Sequence, residues 1–425
     1  MIRVLKKINI EFYLILFLFS GMLKDLFFSL FGTTYPIPLT VLFGTLFITM
    51  IFVKKEFNLS KIKSEFKQYV FFILFFIWAL ISINYSSSDN YCWYKIIALG
   101  TNYIAFIGVL LINKINIKKF AHYFFSMLLF FFFIFFFINP NSFTGDFIYH
   151  EFFNEKHIQG WYLILGQFLT ANMLLVFIFN NKKATIYSLL ISFNIILLLG
   201  GRAPIIVAAI ILIGIILYLL ISKVFSKDLL LIIMKPLAVI IIVNGLLFSF
   251  SSTYVDLMSR SAYRFKVLSA TFDNEGNNKY LDRIENDNKS VSTRYEQYVF
   301  SKEKIFKNAK SITIGYGLGS FSNEYEKEDK RLYPHNIVLE IIFELGFIGL
   351  FLALSFLFIN ISRYKRIFAN FTLLAVIILF LHTMKSSSFV DLRILFALYA
   401  ISIFHNNNAK KMESANNINS SNNSI

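Results

Sequence analysis

The stretch FAHYFFSMLLFFFFIFFFI, from Phe120 to Ile138, is apolar on every side and about as long as a bilayer core requires of a helix, roughly 20 residues. Pro204 to Ile221 has the same character. Neither alternates apolar with polar residues, which excludes the strands of an outer-membrane barrel. The whole chain agrees. Of its 425 residues 57% are hydrophobic and only 16% charged, where soluble domains carry about 25% charged, so it reads as an integral membrane protein. Working outward gives twelve apolar segments, at about 10–31, 37–53, 68–85, 96–113, 120–139, 161–179, 185–200, 204–222, 229–250, 336–360, 367–384 and 389–404. The expected fold is all-α, with about twelve transmembrane helices.

Charge orients these segments. The net charge of +16 could suit nucleic acid, but lysine and arginine fall in alternate loops, so no nucleic-acid partner is expected. Arg3, Lys6 and Lys7, the five lysines of 54–67, Lys114, Lys118 and Lys119, Lys182 and Lys183, Lys223 and Lys227, Arg363, Lys365 and Arg366, and Lys410 and Lys411 are 20 of the 41 basic residues. Twelve crossings put all of them on one side, which the positive-inside rule makes the cytoplasm, with both termini inside. The basic start resembles a signal peptide, yet no small-residue cleavage site follows Phe19–Ser20–Gly21, so 10–31 is taken as an uncleaved span, although Lys24 and Asp25 interrupt it. A multi-pass membrane protein is expected.

Four regions follow: spans 1–9 over residues 1–250, a large external loop over 251–335, spans 10–12 over 336–404, and a disordered Asn- and Ser-rich cytoplasmic tail over 405–425. The loop's 85 residues carry 14 basic and 12 acidic side chains, and so large a loop is more often functional than a connector. Within it Tyr295, Tyr298, Val299, Lys302 and Phe306 recur at helical spacing, which predicts an amphipathic helix starting at Arg294 and lying on the outer membrane surface. Gly315, Gly317 and Gly319 predict a flexible turn; without a following helix and parallel strand they are no dinucleotide fingerprint. The single cysteine, Cys92, excludes an internal disulfide and a cysteine-based metal cluster.

Candidate chemistry gathers on the external side. Arg202 sits in Gly200–Gly201–Arg202–Ala203–Pro204, a break between two spans. An arginine there faces a cavity or an anion, or else snorkels to lipid headgroups. Glycine at 201 frees the backbone to approach a ligand, and Pro204 suits the first turn of the next helix, whose amides attract phosphate. His335 stands where the loop re-enters the membrane, above Asn336, Glu340 and Glu344 on one helix face. A histidine at such a rim can take a proton near neutral pH, and acids in the first turns of a span are expected to face a protein interior. Arg260, Arg264, Arg283 and Arg294 could bring guanidinium forks, suited to pyrophosphate, over the same rim, with a solvated helix as the plain alternative. Lys156 and His157 add a basic cluster. His150, His157 and His335 with Glu285 and Asp287 offer metal ligands, but no close pair fixes a geometry, and no metal is expected.

The Gly–Arg break, the long loop with Arg294, the Gly315-x-Gly317-x-Gly319 turn, and Pro334–His335–Asn336 leading into Leu339–Glu340–Ile341–Ile342–Phe343–Glu344–Leu345–Gly346–Phe347–Ile348–Gly349 occur in an order that resembles the O-antigen ligase and polymerase family. The resemblance covers about residues 185–355 and is most specific over Gly315 to Gly349. Proline follows Gly201–Arg202–Ala203 where the family often has a small or aliphatic residue, and His157 stands where asparagine is common.

The resemblance implies a GT-C-like membrane glycosyltransferase that takes a glycan from undecaprenyl pyrophosphate on the periplasmic or external face, without cofactor or nucleotide sugar. Arg202 and Arg294 would hold the pyrophosphate, and His335 would stand by the acceptor hydroxyl or the phosphate. The leading expectation is an inverting, metal-independent polymerase of lipid-linked oligosaccharide repeats, with a chain-length regulator as candidate partner. Gly201, Asn336, Glu340, Arg260, Arg264, His157 and Lys156 are expected to bind substrate. The competitors are a ligase that moves polymer onto lipid A core, and a flippase. A flippase should carry charges deep in several spans, where Lys235, Glu340 and Glu344 are the few noted, and no internal repeat is visible.

Overall fold

The computed structural model describes residues 8–31, 39–57, 66–138, 148–152, 155–159, 161–179, 181–221, 227–252, 254–255, 258–259, 281–361, 370–386, 388–390 and 392–404. The architecture is helical, with one short hairpin. The helices are α1 (Ile10–Leu18), α2 (Ser20–Phe31), α3 (Leu39–Val53), α4 (Phe66–Ser82), α5 (Tyr91–Leu111) and α6 (Ile117–Ile138). Strands β1 (Ile148–Phe152) and β2 (Glu155–Gln159) pair antiparallel, placing His150 opposite His157. Then come α7 (Trp161–Leu175), α8 (Lys182–Leu199), α9 (Arg202–Ile221), α10 (Lys227–Phe250), α11 (Leu281–Ile305), α12 (Ala309–Ile314), α13 (Ser320–Glu326), α14 (Ile337–Ile361), α15 (Phe371–Ser386) and α16 (Arg393–Phe404).

Five helical segments among the described residues are long and apolar enough to cross a membrane: Tyr91–Leu111, Ile117–Ile134, Lys182–Leu199, Leu231–Phe250 and Ile337–Ile359. At six other expected spans the apolar helices are shorter, from Leu39–Val53 to Arg393–Phe404. The expected first span is two helices, broken at Phe19. The expected tail at 405–425 lies outside the described residues.

The chain forms two compact units, one of Met1–Leu18, Thr40–Ile117 and Ser290–Ile425, the other of Phe19–Leu39 and Lys118–Lys289. In the first, α4 packs along α14 around an aromatic core. Phe72 stacks on Phe356 at 4.9 Å and on Phe396 at 4.8 Å, and Phe106 meets Phe356 edge-on at 5.1 Å. Such offset and edge geometries each add about 0.5–1.5 kcal/mol beyond simple burial.

In the second unit Phe19 packs against Phe124 and Phe131 at 5.3 and 5.8 Å. Helix α8 starts on Asn181, whose side chain accepts from the amides of Lys183 and Ala184, and stops at Gly200 in a left-handed conformation, φ 64°. Most of α10 keeps its apolar side chains exposed, Ile241 and Phe248 among them, as a lipid-facing helix would. One polar tie holds it: Asn244 Nδ2 donates to Asn194 Oδ1 on α8 at 2.8 Å.

Candidate functional site

In the first unit the second half of the polar segment is folded, not loose. Helix α11 begins at Leu281, well before Arg294, because neither glycine nor proline interrupts the chain between Gly276 and Gly315. Apolar periodicity marks the buried face of a helix, so a polar stretch gives no such signal for its start. The helix expected from Arg294 lies within α11: Gln297, Ser301 and Ile305 face the interior, and Tyr295, Val299 and Phe306 are exposed. Ile305, Phe321 and Phe343 form a small core, flanked by Phe300, Tyr316 and Tyr325. Tyr316 stacks on Phe343 at 5.0 Å, and Lys304 bonds Glu324 at 2.8 Å.

The glycine run is a wedge rather than a flexible turn. Helix α14 is broken at Gly346, φ 67° and ψ −171°, and a break of this kind strands the carbonyls that precede it. Those of Phe343, Glu344 and Leu345 instead accept from Tyr316 N at 2.9 Å, Gly317 N at 2.8 Å and Trp78 Nε1 at 2.9 Å. Such close approach leaves no room for side chains. A Cβ at Gly315 would lie 2.6 Å from the Glu344 carbonyl, and one at Gly317 would lie 2.5 Å from Ser86 Cα. The loop after α4 completes the clasp, with Tyr85 Oη donating to Ile314 O at 2.8 Å and Ser86 Oγ to Leu318 O at 2.7 Å.

This clasp sets the residues above α14. His335 adopts φ 50°, left-handed and uncommon for a side chain of its size. It is half-buried, with the Tyr333 ring tilted over it at 4.8 Å. Its Nδ1 is buried and has no hydrogen-bond partner among the described residues. Burial first, and the Arg294 guanidinium second, hold the imidazole well below its ordinary range, at about 4. The ring is therefore neutral near pH 7, with a nitrogen able to accept a proton. Asn336 caps α14: its Oδ1 accepts from the amides of Val338 at 3.0 Å and Leu339 at 3.1 Å. That oxygen is committed to the helix, not turned to a substrate.

Glu340 and Glu344 share a face, as their spacing implies, but that face meets Lys95 of α5. Lys95 Nζ lies 2.6 Å from an oxygen of each, and all three side chains are fully buried. Glu340 also accepts from Ser388 Oγ at 2.6 Å and Phe389 N at 3.0 Å. The expectation of a substrate-binding Glu340 is corrected by this packing, since every donor it meets is internal. Lys95 was readable as a lone cation inside an apolar span, which usually has a partner in another span.

Asp329 joins distant segments without a sequence signal. Its carboxylate accepts from Ser88 Oγ at 2.7 Å and from the amides of Asp89 at 3.0 Å and Asn90 at 2.6 Å, capping α5 from 238 residues away along the chain. Asp329→Ala is expected to cost about 1 kcal/mol, the usual worth of a cap. Hydrogen exchange would then quicken at residues 89–91, and unchanged protection there would contradict the role.

In the second unit, Arg202 is the first residue of α9 and is half-buried. Gly201 is tightly packed: a Cβ there would lie 3.2 Å from Pro204 Cγ. Its small size thus serves the turn into α9, which corrects its reading as an open approach for a ligand. Pro204 occupies the first turn and presses on Gly166, where a Cβ would lie 3.0 Å from the proline ring. Lys156 and His157 lie on β2, their side chains outside the description, and Arg260 and Arg264 lie outside the described residues. Of the expected site residues, the first unit brings together His335, Arg294, Asn336 and Glu340. Arg202 and Gly201 belong to the other unit.

Residues 187–354 match the family model described as O-antigen ligase. No curated protein matches the chain.

Proposed function

Because residues 187–354 match the family model described as O-antigen ligase, we propose that the chain is a membrane glycosyltransferase that polymerises lipid-linked oligosaccharide repeats. The donor is a glycan on undecaprenyl pyrophosphate, the acceptor a sugar hydroxyl, and the reaction inverts the anomeric carbon on the external face of the membrane. One observation carries this reading: a neutral imidazole with an unpartnered Nδ1 beside an arginine at the head of α14.

That pair divides the chemistry. The neutral ring of His335 takes the acceptor's proton as the hydroxyl attacks. Lipid pyrophosphate leaves with its charge growing, and fixed guanidinium groups stabilise that charge in the transition state. Arg294 supplies one such group beside His335, and for Arg202, at the start of α9, the same role is carried over from the family resemblance alone. Arg202→Ala should lower turnover about 10²-fold or more, the usual cost of losing one such donor. An Arg202→Ala enzyme with wild-type turnover would remove that residue from the mechanism.

The purified chain, given lipid-linked repeat alone, is expected to produce a ladder of glycan lengths. The description of the matching family favours a second reading, in which finished polymer moves onto lipid A core. Transfer only when lipid A core is present would select that ligase. Net movement of lipid-linked glycan between leaflets with no new glycosidic bond would overturn both.

A further inference from the structure

Lys95, Glu340 and Glu344 bring one cation and two acids together inside the first unit, all with fully buried side chains. The Tyr91 and Phe389 rings lie 5.3 and 5.1 Å from the Lys95 ammonium, their faces favouring its charge. Donors are shared unequally. Glu340 accepts through both oxygens, from Lys95, Ser388 and Phe389 N, whereas Glu344 has Lys95 at Oε1 and the Gly319 amide near it, and its Oε2 has no hydrogen-bond partner among the described residues. With every group ionised the cluster would hold a net negative charge away from water, which is strongly unfavourable. A carboxylate that accepts several hydrogen bonds keeps its charge, and one poor in donors is the better place for a proton.

We propose that Glu344 is protonated and that Lys95 and Glu340 form the ion pair, so that the cluster is a neutral, proton-holding site within the helices. Lys95 is then a positioning residue. It fixes α14 through Glu340, whose amide donates to the carbonyl of Asn336, the residue after His335. This second role rests on the reading of His335 as the base.

Infrared spectra of the full-length protein in lipid nanodiscs test the proton directly. The carbonyl band of a protonated carboxylic acid should be present in the wild-type protein and disappear in Glu344→Gln, which leaves a single acid to pair with Lys95. A wild-type protein without that band, or a band untouched by Glu344→Gln, overturns the proposal. Paired variants then decide which acid carries the proton. Lys95→Met strands a buried carboxylate and should lower the thermal midpoint. Adding Glu340→Gln should restore it, and adding Glu344→Gln should not. The reverse pattern places the charge on Glu344 and refutes the proposal. In glycan-assembly assays, Lys95→Met should lower kcat roughly 10- to 100-fold with donor KM held, as misplacement of a reacting group does, and Lys95→Met/Glu340→Gln should recover it. A restored midpoint without restored kcat overturns the positioning role. The spectrum and the midpoint do not depend on turnover, so failure of the proposed activity is distinguishable from failure of the proton assignment.

Discussion

His335→Ala is expected to lower turnover by about 10² to 10⁴-fold, the usual contribution of a positioned base, while binding of the lipid-linked donor stays close to normal. The split follows from the division of labour: the base acts on the acceptor's proton, and arginines hold the pyrophosphate. Single-turnover kinetics beside a donor-binding titration would check it. Equal losses in both would mean that His335 shapes the site and moves no proton. The pH profile gives an independent reading. Burial and Arg294 both disfavour the imidazolium, so the ring stays neutral down to about 4, and the acid limb of the activity should lie well below the ordinary histidine value of 6.5. Arg294→Gln removes the smaller of the two causes, so that limb should move upward only part of the way. Stability follows the same sign. Between about 4 and 6.5 the unfolded chain binds a proton that the folded one refuses, so the folded state loses stability as pH falls through that window.

Gly346→Ala is expected to prevent stable folding of the first unit. Its new Cβ would lie 2.2 Å from Thr313 O and 2.5 Å from Ile314 N, backbone atoms that no rotamer change can move aside. At φ 67° and ψ −171°, a region essentially restricted to glycine, any side chain adds roughly 1–3 kcal/mol of backbone strain. Displacing the glycine turn would also strip donors from the carbonyls of Phe343 and Glu344, at about 1–3 kcal/mol for each buried group left unpaired. Such a total is a large share of the stability of about 5–15 kcal/mol typical of a domain. The control is Gly100→Ala in α5, where a Cβ meets nothing within 4 Å and should be neutral or slightly stabilising. Thermal midpoints and monodisperse yield in detergent compare the two. A Gly346→Ala protein as stable as Gly100→Ala would show that the wedge tolerates displacement.

Helices were legible where the chain is apolar, because a backbone in lipid must satisfy its own hydrogen bonds and only long apolar helices do so. The same patterning exposed the shared face of Glu340 and Glu344 and the rim position of His335. It failed where the signal is not periodic. Nothing in the polar run before Arg294 announces that α11 starts at Leu281, nor that Gln297 and Ser301 face the interior. Glycines at 315, 317 and 319 suggested freedom, yet their lack of side chains lets the turn press on α14 at Gly315 and on Ser86 and Cys92 at Gly317 and Gly319.

Local order, then, was written in the sequence: where helices run, which residues share a face, and which histidine heads α14. Partnership was decided by the fold alone. Lys95 meets Glu340 across 245 residues, Asp329 caps α5, and Arg294 stands near enough to His335 to add to the burial that keeps it neutral. Spacing along a helix fixes direction within a few residues. A contact between distant segments depends on how the helices pack, and that is settled by the shape of the whole core.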